Sequence, residues 1–208
     1  MRYPDWTSYD TEALYAQYNN RGKVPDFADY SARWSATADE ARSRLAARAT
    51  LDIAYGQKPA EAIDLFLPEA TKPPLHVFIH GGYWQWNDRK PYGFLAESFV
   101  AAGAAFATIG YPLTPGVSMS ELVACVRTGL AHLWRNADML GFDRERIHIS
   151  GNSAGGHLTA VMMLTDWLTF AGDLPADMLK SGIAISGIFD LEPVRHTPIG
   201  DAPGMDEV

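Results

Sequence analysis

The sequence predicts an α/β fold, a mostly parallel sheet with helices on both faces. Three observations predict it. From residue 50 onward, short β-branched runs alternate with helical ones; a G-x-S-x-G run stands between a strand and a helix; and a glycine pair follows the end of another strand. With 208 residues, 47% of them apolar and 20% charged, the chain can bury one sizeable core.

Residues 1–48 read as a helical leader packed on that domain, and 49–208 as the core. Asp10 is placed to cap a helix carrying Leu14, Tyr15 and Tyr18, and Asp26 to start a second one running toward Ala49. Asn19 to Pro25 between them is rich in turn formers. Strands are expected near Leu51 to Tyr55, Ile63 to Leu67, Leu75 to Ile79, Ala105 to Gly110, Ile147 to Ser150 and Gly182 to Ser186. Leu122, Val126, Leu130 and Leu133 recur at spacings of three and four, which predicts a helix from Met119 to Leu140 ended by Gly141. Cys125 falls beside that stripe and is expected to be a buried, inert thiol.

The net charge of −8 and scattered basic residues leave no patch to displace counterions, so nucleic acid is excluded as a partner. Arg42 to Arg48 reads as a solvated helix face. One cysteine allows neither an internal disulfide nor a cysteine-based metal cluster, and no cofactor is implied. Met1 to Trp6 carries no apolar leader, and the longest apolar run, Phe99 to Pro112, is interrupted by glycines and too short for a membrane span. A cytoplasmic protein without membrane partners is the expectation.

Ile147 to Ser150 runs into Gly151-Asn152-Ser153-Ala154-Gly155-Gly156 and then into helix-forming His157 to Leu164. A turn this tight from strand to helix forces Ser153 into a strained conformation that lifts its hydroxyl above the sheet, at the positive end of the next helix. A second loop, His80-Gly81-Gly82-Tyr83-Trp84, leaves the strand at Leu75 to Ile79, and helix is expected from near Asp88 through Ala102. Acyl transfer needs several N–H donors on one oxyanion, and glycines let backbone amides approach it. Gly81, Gly82 and Ala154 are the expected donors.

With both motifs in place, the chain resembles the α/β-hydrolase superfamily, close to hormone-sensitive-lipase-like esterases and closer to the arylformamidase (kynurenine formamidase) branch, whose oxyanion motif His-Gly-Gly-x-Trp matches His80 to Trp84. Tyr111 to Pro115 and Ile185 to Leu191 resemble later loops of that family, so the similarity spans residues 50–195; Asn152 stands where relatives often carry Asp or His. The resemblance implies a serine hydrolase of carboxyl esters or aryl formamides, with Ser153 as nucleophile and Tyr83, Trp84 and Trp86 beside an aryl substrate.

It also implies a catalytic Asp or Glu after a seventh strand and a His after an eighth, and Leu191 to Val208 has no strand signal. The chain therefore reads as a hydrolase fold lacking its last two strands, with impaired activity. The alternatives are a non-catalytic remnant or one half of a two-chain hydrolase. His157 is expected to pack locally and His80 to prop the oxyanion loop. His76, His132 and His148 read as structural, and His196 with Asp190 or Glu192 as a weak substitute for the missing pair. The sixth strand would present an open edge to a second copy or a complementing chain.

Overall fold

The computed structural model describes residues 5–205, so the expectations for Met1 to Pro4 and for the last three residues lie outside the described residues. The leader folds as its capping residue dictates: Asp10 accepts the amide of Ala13 and opens α1 (Thr11–Tyr18), which buries Leu14. A 3-10 turn at Arg21–Lys23 leads to α2 (Phe27–Arg44). This helix stops short of the expected Ala49. A 3-10 turn takes Ala46–Arg48, and Ala49 already pairs with Phe66 in the sheet, so a long-range strand contact overrides the local preference of alanine for helix.

Among the described residues six strands form one sheet in the order β1-β2-β4-β3-β5-β6: β1 (Ala49–Ala54), β2 (Ala62–Phe66), β3 (Leu75–Ile79), β4 (Ala105–Ile109), β5 (Ile147–Asn152) and β6 (Leu179–Ile185). β1 and β2 enter antiparallel; β4, β3, β5 and β6 run parallel. Alternation along the strands divides the core. Phe78 and Phe106 face α3 (Ala96–Ala101), meeting Ala96 and Val100, while Leu75, Val77 and Ile79 face the larger cluster under α4 (Met119–Leu140) and α5 (Ala154–Met163). α4 keeps its expected bounds because both ends are capped: Ser118 and Glu121 form a capping box, and Gly141 takes φ 87°.

β3 and β5 pair with Ile79 opposite Gly151, so the loops leaving their carboxyl ends meet above the sheet. Among the described residues β6 pairs only with β5, and Lys180 to Ile185 are exposed. Short turns of helix flank it in the chain, α6 (Trp167–Phe170) before the strand and α7 (Glu192–Arg195) beyond it. Among the described residues no helix is long and apolar enough to cross a membrane.

Candidate active site

Ser153 sits between the last residue of β5 and the first of α5 with φ 58° and ψ −119°, a conformation that costs a non-glycine residue about 1–3 kcal/mol. The surroundings hold it there: its amide donates to the Ile185 carbonyl at 2.8 Å, and its own carbonyl accepts the His157 amide at 3.0 Å. Gly155 makes the turn possible. A methyl there would stand 2.1 Å from the Ile79 carbonyl oxygen, so the helix start can approach β3 only without a Cβ.

The loop after β3 lies against this elbow, since a methyl on Gly81 would fall 2.4 Å from the Asn152 oxygen and 3.1 Å from the Ser153 Cβ. Side chains fix its peptide planes. The Tyr111 hydroxyl donates to the His80 carbonyl at 2.6 Å, and its ring stacks on the imidazole at 4.2 Å. His80 Nδ1 and Asn87 Nδ2 donate to the Gly81 carbonyl at 2.9 and 3.1 Å. In a trans peptide the C=O and the following N–H point opposite ways, so these bonds aim the amides of Gly81 and Gly82 away from Tyr111, His80 and Asn87. Neither amide donates to an acceptor among the described residues. Complete burial pushes the His80 imidazole down to about 4, so it is neutral and carries its proton on Nδ1, facing the carbonyl.

Ser153, Gly81, Gly82 and Tyr83 line one cleft of about 280 Å³, and Ala154 is buried beneath it at the start of α5. Tyr83 and Trp86 meet edge to face at 6.2 Å on its wall, and the Tyr83 hydroxyl donates to the Tyr18 carbonyl. Trp84 corrects the reading of it as a substrate contact. Its side chain is fully buried and meets His157 edge to face at 5.2 Å, because a large indole next to the sheet gains more from core burial than from a half-wet wall. The leader supplies the wall that sequence reasoning missed: Asn20, Arg21, Phe27 and Trp34 come from the turn after α1 and from α2. Their only sequence signal was the turn-rich Asn19 to Pro25 segment.

No histidine among the described residues hydrogen-bonds the Ser153 hydroxyl. His76 Nε2 meets Ser150 Oγ at 2.7 Å, His148 Nδ1 meets Ser181 Oγ at 2.8 Å, and His157 packs on Trp84. His196 does find Glu192, at 3.1 Å, but this pair lies within one exposed turn, stacked on Trp6 and away from the residues lining the cleft. Cys125 is half-buried rather than buried; it donates to Glu61 at 3.2 Å, and burial together with that carboxylate pushes its thiol up to about 11. Among the described residues no group of three or more His, Cys, Asp or Glu is placed to hold a metal.

The sequence pattern of the BD-FAE family matches residues 63–194. A kynurenine formamidase of Danio rerio is 31% identical over 98% of this chain and 69% of its own length. Esterase LipC of Mycobacterium tuberculosis is 33% identical over 66% of this chain and 35% of its own length, so the chain spans well under half of that relative. The crystal structure of a proposed thioesterase from Silicibacter sp. TM1040 superposes with a TM-score of 0.80 at 33% identity, covering 91% of this chain and 69% of that one.

Proposed function

The chain belongs to the BD-FAE family and has the α/β-hydrolase fold of its esterase and formamidase relatives, and from that membership we propose that it is a serine hydrolase of carboxyl esters or aryl formamides. Ser153 attacks the substrate carbonyl; the oxygen becomes an oxyanion facing the amides of Gly81, Gly82 and Ala154; the leaving alcohol or arylamine departs with a proton, and water then releases the acid or formate. Tyr83 and Trp86 favour an aryl group in the leaving portion. The observation that carries the reading is the pairing of a strained Ser153 with two glycine amides whose peptide planes are pinned and whose hydrogens are free.

A serine hydroxyl without a base is a poor nucleophile, and losing one triad member costs a factor of about 10⁴ to 10⁶ in such enzymes. We therefore expect slow turnover from residues 1–208 by themselves. The exposed β6 edge is where further strands carrying an acid and a histidine would pair: among the described residues β6 has β5 as its one neighbour, and Ile183 is 60% and Ile185 45% exposed. Hydrolysis of phenyl acetate and of formanilide, each followed with the wild type and with Ser153→Ala, tests the reaction. Slow hydrolysis that Ser153→Ala removes supports it; hydrolysis unchanged by the substitution overturns it.

A further inference from the structure

The cleft beside Ser153 holds one charged side chain among its lining residues, Arg21. The chain has 25 acidic and 17 basic residues, and the arginines of its surface are mostly held by carboxylates: Arg44 by Glu97, Arg135 by Asp173, Arg146 by Asp143. Arg21 has no such partner among the described residues. Its guanidinium instead stands over two aromatic rings, 4.5 Å from the centre of Trp86 and 5.1 Å from that of Phe27. Its N–H groups donate to no acceptor among the described residues, and they form the planar fork that fits a carboxylate with two parallel hydrogen bonds. The rings also hold the group in place, so less side-chain freedom is lost when an anion arrives.

We propose that Arg21 is a specificity-determining residue that binds a carboxylate on the substrate, which makes the preferred substrates anionic aromatic esters or formamides rather than neutral ones. The inference rests on the Ser153 cleft being the substrate site. The aromatic portion lies along Tyr83 and Trp86, the scissile carbonyl at Ser153, and the carboxylate at the leader's 3-10 turn. This gives the leader a role in selection: it carries the one cation of the cleft, on a short exposed turn outside the sheet that holds the nucleophile.

Binding tests this without depending on turnover. Phenylacetate and its uncharged counterpart phenylacetamide are titrated against the protein, with tryptophan fluorescence reporting occupancy near Trp86. The wild type is expected to bind the carboxylate about tenfold more tightly, the size of one charge-assisted pair in a partly wet site. Arg21→Met and Arg21→Gln, both at an exposed position, should abolish the preference, and Ser153→Ala should keep it. Equal binding of the two ligands by the wild type, or a preference that survives in either Arg21 variant, overturns the proposal. Failure of the hydrolase reading shows differently: Ser153 then stays inert while the carboxylate preference is still measured.

Discussion

Tyr111 Oη reaches the His80 carbonyl across 31 residues of sequence, and removing that one oxygen isolates the contribution of a pinned loop. Tyr111→Phe leaves a buried carbonyl without its donor, which destabilises the fold by about 1–3 kcal/mol. It also frees the peptide that aims the Gly81 amide. Reaction of Ser153 with a fluorophosphonate should slow about tenfold, the order of one weakened oxyanion donor; an unchanged rate would show that the loop does not need this bond. His80 adds a pH dependence. Its folded value of about 4 lies below its ordinary 6.5, so between these the unfolded chain takes up a proton that the folded chain refuses. The stability is therefore full above 6.5 and is lost as pH falls toward 4, amounting to about 2 kcal/mol at pH 5. His76, also pushed down to about 4 by burial, acts in the same direction. Melting temperatures at pH 7 and pH 5 should differ accordingly, and equal values would contradict the buried neutral imidazoles. Residues of this kind divide what the sequence discloses. The elbow glycines and Ser153 are adjacent in the chain, so their chemistry is legible as a motif. The pins Tyr111 and Asn87, and the leader's Arg21, act across folds of the chain that no local pattern records, and Trp84 reads as a surface aromatic until the core around it is seen.

Elements with caps were the most legible. α4 has an apolar stripe, a Ser118–Glu121 capping box and Gly141, all local signals, and it begins and ends where they place it. Ser118→Ala should lower stability by about 1 kcal/mol, measured by urea denaturation, with no effect on ligand binding in the cleft. A loss near zero would mean that tertiary packing alone sets the start of the helix. α2 lacks such signals. Asp26 makes no side-chain cap, and the far end is set by β1 pairing with β2, a contact that periodicity within Asp26 to Ala49 cannot express. α5 is governed by close approach: Gly155→Ala would drive a methyl into the Ile79 carbonyl and should destabilise the fold by about 2–3 kcal/mol or more, tracked by the same denaturation curve.

At the scale of the whole molecule the two sheet edges are unlike. β1 and β6 each pair with one neighbour among the described residues, but β1 lies antiparallel to β2, whereas β6 lies parallel to β5 and carries exposed Ile183 and Ile185, with the 62% exposed Phe189 just beyond it. Such an edge pairs with further chain when any is within reach. Light scattering should show self-association rising with concentration and suppressed by Ile183→Lys; a monomer at all concentrations would contradict a free edge. The mostly parallel sheet was legible because βα alternation is periodic, whereas the order of its strands is set by long-range pairing that no local pattern records. The unmatched edge became concrete only once Lys180 to Ile185 were seen to be exposed. All of these features converge on a single side chain. The most direct measurement is the intact mass of the protein after prolonged incubation with a fluorophosphonate, followed by peptide mapping. One adduct on Ser153, absent in Ser153→Ala, is the expected result; a folded protein that carries no adduct on Ser153 would contradict the account.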